Sequence, residues 1–213
     1  VREVCDRYDV LLIADEIITG FGRTGKWFAL EHWGVQPDLV AFAKGVTSAY
    51  LPLGGVLVSR QIHDAILDAP AAERFMHAAT YSAHPTCCAV ALRNLDILER
   101  EGLVERAARM GERLLAGLQT LRDLPVVGDV RGLGLMCGVE LVEDRTTKAP
   151  ALGLGARVLA EARKRGLVTR IRVGQAGEHP IGDTVLLAPP LVVTEEQVDR
   201  IVAILRDSIA ACL

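Results

Sequence analysis

A-D-E-I-I-T-G-F-G-R-T-G at residues 14–25 and P-D-L-V-A-F-A-K-G at residues 37–45 decide how this chain folds. Each is built on an apolar run. D-V-L-L-I-A (9–14) is continuously apolar rather than alternating, as in a strand covered on both faces within a parallel sheet, and L-V-A-F-A (39–43) reads as a second. Asp15 and Glu16 stand where the first run ends, and Lys44 stands just past the second. In open α/β sheets ligands gather at the carboxyl ends of strands, so an acid and an amine are expected at neighbouring strand tips.

Two chemistries compete for this stretch. G-F-G-R-T-G (20–25) matches the dinucleotide fingerprint literally. That fingerprint must open a helix directly after its strand, with an acid at the end of the next strand. Here residues 15–19 intervene, two of them acids that repel a pyrophosphate, and Asp38 precedes the second strand instead of ending it. The glycines are better read as a sharply turning loop. The second chemistry is that of pyridoxal phosphate (PLP), which needs an amine to form a Schiff base with the cofactor aldehyde and a carboxylate to keep the pyridine nitrogen protonated. Lys44 and Asp15 supply that pair. A buried carboxylate beside a ring cation favours the charged form of both, and burial of the lysine lowers its pKa toward nucleophilic use. A capping role for the acids and a surface role for Lys44 are the structural alternatives.

These strings, with Y-L-P-L-G-G (50–55), T-Y-S-A-H-P (80–85), V-R-G-L-G-L (130–135) and A-P-P-L (188–191), resemble the class-III PLP-dependent aminotransferases, the group that includes the ω-amino-acid transaminases. The resemblance implies an aspartate aminotransferase-like α/β fold. Residues 1–102 would be the C-terminal part of the large mixed-sheet domain, and residues 103–213 a small α+β domain. It also implies PLP as cofactor, held by Lys44 and Asp15, with Ile17 packing on the ring face and Thr80 reaching the cofactor phosphate of the other subunit of a homodimer. Arg170 matches best the arginine that binds a substrate carboxylate. A helix cap for Thr80 and a solvated role for Arg170 are equally sound chemistry. The implied reaction moves an amino group from an amine or amino acid to an oxo acid or aldehyde. An aminomutase or a decarboxylating aminotransferase would share Asp15 and Lys44, and a truncated, catalytically incomplete chain is a third reading. The family's N-terminal half, with its main phosphate loop and ring-stacking aromatic, has no counterpart here, and V-R-E-V-C-D-R-Y at the start reads as a helix already under way; we read the chain as a fragment.

Composition bounds the rest. Half of the 213 residues are apolar, enough for a sizeable core, and the net charge of −3 without a basic tract argues against nucleic acid. No apolar run approaches the roughly 20 residues that cross a bilayer and no signal peptide is evident, so a cytoplasmic location is expected. Cys5, Cys87, Cys88, Cys137 and Cys212 lack C-x-x-C spacing and read as free, buried thiols; the five histidines show no metal-ligand spacing. Trp27, Phe28 and Trp33 read as packing around the glycine loop.

Further along, residues 55–59 read as a third strand, R-Q-I-H-D-A-I-L-D as a short helix, and Pro85 as the start of a helix to about Arg100 that buries Val90, Leu92, Leu95 and Leu98. Gly102 breaks it. A second helix then carries Ala107, Met110, Leu114, Leu118 and Leu121 on one face. Two strands joined at R-G-L-G follow, then a helix over 152–165, strands on either side of a polar loop at 174–183, and a final helix opened by the capping box of Thr194 and Gln197.

Overall fold

The computed structural model describes residues 1–176 and 179–213, with side chains described outside residues 173–181. The chain divides into two compact units, Val1–Val104 and Glu105–Leu213.

The first unit opens with α1 (Arg2–Arg7) and carries a three-stranded sheet of β1 (Ile13–Asp15), β2 (Leu39–Phe42) and β3 (Gly55–Val58), in that spatial order. β1 and β2 run parallel, pairing Ile13 with Leu39 and Asp15 with Ala41, while β3 returns antiparallel. Asp38 sets this register from below. Its Oδ2 accepts the Leu12 N–H at 2.7 Å and Arg2 Nη1 at 2.8 Å, so one carboxylate ties the entries of both parallel strands. The Arg2 hydrogen bond, helped by that of Leu12, holds the Asp38 carboxyl below the usual carboxylate range.

β1 is shorter than its apolar run, and Val10, Leu11 and Ile13 are each more than half exposed. Val56 and Leu57 on β3 are exposed as well. Continuous apolarity therefore marks a surface here, where cover on both faces was expected. α2 (Arg60–Asp68) starts at Ser59, whose hydroxyl accepts the Ile62 N–H. An exposed loop leads to α3 (Pro85–Arg100), with Pro85 in its first turn, where a missing N–H costs nothing. The buried residues of α3 are Cys87, Ala91 and Leu98, one stripe at four- and seven-residue spacing. Leu92 sits about 100° around the helix from Ala91 and is 69% exposed, against the expectation of burial. Gly102 ends this segment at φ 59, a left-handed conformation suited to glycine.

The second unit is an antiparallel sheet in the order β4–β5–β7–β6, formed by β4 (Val127–Leu133), β5 (Met136–Leu141), β6 (Arg170–Ala176) and β7 (His179–Leu187). Its helices are α4 (Leu103–Gln119), which begins two residues before the unit does, α5 (Leu154–Lys164) and α6 (Glu195–Ala210). Leu114, Leu118 and Leu121 meet Val139, Val185, Leu205 and Ile209 in a core with no measurable exposure. Burying such side chains contributes roughly 1.5–3 kcal/mol apiece, which makes this unit the better-filled of the two. Thr194 opens α6 by the expected reciprocal bonds: its hydroxyl accepts the Gln197 N–H and Gln197 Oε1 accepts the Thr194 N–H at 2.9 Å. Asp183, almost fully buried, accepts the Gly155 N–H at the start of α5. The β4–β5 turn is Gly134 and Leu135, with Gly134 at φ 54; Arg131, Gly132 and Leu133, expected in the turn, are paired strand residues of β4. The expected polar loop at 174–183 is mostly strand, because pairing continues through Gly174 with Ile181 and Ala176 with His179.

No helix among the described residues is long and apolar enough to cross a membrane.

Candidate active site

The parallel pairing of β1 with β2 decides what meets at their carboxyl ends. Asp15 is in register with Ala41, and the ladder runs one residue further through the Glu16 N–H to the Ala41 carbonyl at 2.9 Å. Lys44 follows Ala41 by three residues. With strands about 4.8 Å apart and at most about 3.4 Å per residue along the chain, the Asp15 and Lys44 Cα atoms lie within about 15 Å. An acid and an amine thus stand at the same end of adjacent strands. Both side chains are exposed in this structure, whereas a buried carboxylate was expected. The Asp15 carboxylate accepts the Ile17 N–H at 3.1 Å, and Ile17 is half-buried.

The two acids take opposite environments, as successive residues leaving a strand do. Glu16 is only 3% exposed, and its carboxylate accepts the Thr19 hydroxyl and the N–H groups of Ala29 and Leu30, the last two at 3.0 Å. It therefore fixes the far end of the glycine loop against β1. Within that loop Phe21, Gly22 and Gly25 all have left-handed φ values, and no helix opens directly after the strand, which removes the dinucleotide geometry. The Phe21 ring meets Phe28 and Phe42 edge-on at 5.4 and 5.8 Å between centroids, a favourable arrangement of ring quadrupoles. A cavity of about 480 Å³ runs along β1, with Leu12, Asp15, Glu16, Leu30 and Trp33 among its walls; Lys44 is not one of them.

Lys44 begins a one-turn 3-10 helix, Lys44–Thr47, with φ 39. Left-handed backbone costs a side-chain-bearing residue roughly 1–2 kcal/mol and persists only where the surroundings enforce it. Three contacts do so. A Cβ on Gly45 would stand 3.0 Å from Phe21 Cβ and 3.1 Å from the Gly20 carbonyl oxygen, so a larger residue would push the two loops apart by a few tenths of an ångström. The Thr47 hydroxyl, itself 1% exposed, donates to the Leu51 carbonyl at 2.6 Å. Asn94 of α3 donates to the carbonyls of Gly45 at 2.9 Å and Val46 at 3.1 Å.

Thr80 lies in the exposed loop between α2 and α3, with no hydrogen bond to Asp15 or Lys44 among the described residues. Arg170 opens β6 in the second unit, exposed and in register with Leu186; Arg172, two residues on, is exposed as well. Sequence reasoning thus drew attention to Asp15, Ile17 and Lys44, which the first unit gathers at one sheet end, and missed the anchoring done by Glu16 and Asn94. For Glu16 the signal was its alternation with Asp15. For Asn94 there was none, since 48 or 49 residues separate it from its partners.

Elsewhere, all five cysteines are free, with Cys87 and Cys137 buried. Burial pushes the Cys137 thiol up to about 11, so it is not a nucleophile near neutrality. No group of three or more His, Cys, Asp or Glu among the described residues is placed to hold a metal ion.

A family model for class-III aminotransferases matches residues 1–209. The chain belongs to the class-III aminotransferases. This class-III chain is 44% identical over 211 residues to an uncharacterized aminotransferase, YhxA, of Bacillus subtilis, covering 98% of itself and 46% of that protein. It is 43% identical over 215 residues to an adenosylmethionine-8-amino-7-oxononanoate aminotransferase of Nitratidesulfovibrio vulgaris, covering 99% of itself and 38% of the relative. Among solved structures, an amine transaminase from an uncultivated Pseudomonas species, described as PLP-bound in its internal aldimine form, is 44% identical. It matches 100% of this chain and 47% of its own with a TM-score of 0.91, so the mixed α/β fold is that of the PLP-dependent transaminases. The chain spans less than half the length of each of these relatives.

Proposed function

We propose that this chain carries the cofactor-attaching half of a PLP-dependent transaminase, with Lys44 and Asp15 as its reacting groups. The observation that supports this is the parallel register of β1 and β2, which stations one carboxylate and one amine at the same sheet end. The donor set suits PLP: an acid for the pyridinium, an amine for the aldehyde, and a branched apolar side chain, Ile17, beside them. When bound, PLP supplies an aldehyde that condenses with amines and a protonated ring that draws electrons from the carbon next to nitrogen. Asp15 accepts a hydrogen bond from the ring nitrogen and holds the proton there. Lys44 tethers the cofactor through Nζ. With the cofactor bound, its amine when free and neutral would be the group that takes up and gives back a proton at the substrate Cα. Ile17 orients the ring by covering its face, Thr80 contributes a hydroxyl to the phosphate, and Arg170 binds a substrate carboxylate.

The substrates are an amino donor and an oxo acceptor. Relatives at 43% and 44% identity are named for different amino donors, so the donor is set by side chains that vary within this level of likeness. A homodimer, with Thr80 serving the partner's site, accords with the exposure of that loop, and five free thiols accord with a reducing cytoplasm. The exposure of both Lys44 and Asp15 favours a second statement: these 213 residues by themselves are catalytically incomplete, since a water-filled site strengthens neither the ring-proton contact nor the amine.

The test uses the complete natural polypeptide that carries this chain. Borohydride reduction after loading with PLP is expected to leave a stable adduct on Lys44, located by peptide mass, and Lys44→Ala is expected to abolish it. An adduct that persists in Lys44→Ala refutes the assignment. Asp15→Asn should keep the adduct while slowing half-transamination, which separates the role of the acid from that of the amine.

A further inference from the structure

We infer that Asn94 is a positioning residue for the Lys44 amine, acting through the backbone of the turn from which Lys44 projects; this rests on the reading of Lys44 as the cofactor-attaching lysine. Asn94 has no place in either motif that drew attention to the site. It comes from the middle of α3, and its Nδ2 donates to two successive carbonyls, those of Gly45 and Val46, directly after Lys44. One carboxamide nitrogen has two hydrogens, so both are used and both grip the same short segment.

That segment is under strain. Lys44, Ser48 and Ala49 all have left-handed φ values, of 39°, 50° and 63°, around a single 3-10 turn, and none of them is glycine. A turn in this state relaxes unless neighbours over-determine it. The Thr47 hydroxyl closes the turn onto its own continuation at Leu51, and Gly45 permits the close approach of the Phe21 loop. Asn94 is the side chain that ties the turn to a separate, rigid element. A long, freely rotating lysine stem is only as well placed as the Cα that bears it, and a misplacement on the order of 1 Å at a reacting group costs about a hundredfold in rate. Helix α3 is thus the frame against which the amine is registered.

Asn94→Asp is nearly isosteric but replaces two donors with a carboxylate facing two carbonyl oxygens, so it repels what the native side chain holds. In the complete polypeptide loaded with PLP, three quantities are compared with the natural protein: the rate of borohydride fixation on Lys44, the pH midpoint of the cofactor's visible band, and cofactor affinity from its absorbance. We expect fixation slowed about tenfold, a displaced midpoint and weaker binding. Leu92→Ala, on the exposed side of the same helix, should leave all three unchanged. Asn94→Ser keeps one donor on a shorter arm and should fall between, and it carries the comparison if the aspartate variant does not fold. A variant that is less heat-stable yet keeps the natural fixation rate and midpoint overturns the proposal, because a purely structural bond would act in that way. The underlying reading fails separately: if the natural protein forms no adduct on Lys44, the assignment of Lys44 is wrong. An adduct formed equally fast in the natural protein and both Asn94 variants overturns only the role of Asn94.

Discussion

Gly111→Ala sets helix propensity against packing, and the structure decides between them. Gly111 lies inside α4, where alanine normally stabilises a helix by about 1 kcal/mol. A Cβ at this position would stand 2.3 Å from the Gly134 carbonyl carbon and 2.4 Å from both its Cα and its oxygen. Carbon atoms rest about 3.5–4.0 Å apart, so helix and hairpin must separate by roughly 1 Å or more. The obstacle is backbone at a turn whose left-handed glycine cannot rotate away. Overpacking of this kind costs about 1–3 kcal/mol, and an obstacle that cannot yield puts it at the upper end, for a net loss of about 2 kcal/mol. Gly117→Ala in the same helix is the internal control. Its Cβ would meet the Val202 side chain, Cγ2 at 2.8 Å with Cγ1 at 3.5 Å and Cβ at 3.6 Å, and no backbone, so part of the contact is offset by the propensity gain and the loss should be smaller than for Gly111→Ala. Amide hydrogen exchange across α4 and the β4–β5 hairpin reads this unit specifically, and circular dichroism gives its melting, expected to drop by roughly 10 °C for a domain of this size. A Gly111→Ala protein as well protected as the natural one, or a Gly117→Ala protein damaged more, would refute the reasoning.

Other outcomes follow from the polar contacts. Glu16→Ala orphans two half-buried N–H groups and a half-buried hydroxyl and should cost about 1–3 kcal/mol. Exchange at residues 17–30 should rise, with Glu16→Gln intermediate because it keeps one acceptor oxygen; unchanged protection in the alanine variant would show that the loop is held by its aromatics alone. Acid should destabilise the fold in a definite direction. Asp38 through Arg2, Asp123 through Arg206, Asp199 through Arg113 and Glu161 through Lys164 and Arg165 are all held below the ordinary carboxylate range. Their contribution is present in full above the unfolded pKa, near 4, and is lost as pH falls through the lower folded values. Melting temperature should therefore decline modestly from about pH 4 downward, and Arg206→Ala should show a shallower decline; an equal slope in that variant would exclude the Asp123 pair as a source.

What the residues disclosed on their own depended on the range over which each signal acts. The α4 stripe from Ala107 to Leu118 and the Thr194 capping box are local patterns, and both appear in the structure as read, while Leu121 falls in the 3-10 turn after α4 and the turn expected at R-G-L-G shifts to Gly134 and Leu135. Class-III membership was legible for a related reason, since Asp15 and Lys44 sit in short, contiguous strings that carry the resemblance. The misjudged elements depend on what lies outside the segment. The apolarity of residues 9–14 encodes neighbours on both faces, a property of a whole sheet, and Val10, Leu11 and Ile13 are exposed where the described residues provide no such cover. Leu92 looked buried because apolar type was weighed above helical phase, which places it off the Cys87–Ala91–Leu98 stripe. The 174–183 stretch looked like loop because its glycines and polar residues lack alternation, yet a hairpin's register can be carried by its flanking strands. Glu16 and Asn94 fall into a third kind. Apart from the Thr19 hydroxyl on Glu16, their partners are backbone atoms, which carry no residue identity, so side-chain types announce Asn94 not at all and Glu16 only through its alternation with Asp15. It follows that anchors of this sort are to be sought in the fold by asking which strained backbone is held and by what. At the lysine-bearing turn the answer from outside the loop is one carboxamide on α3.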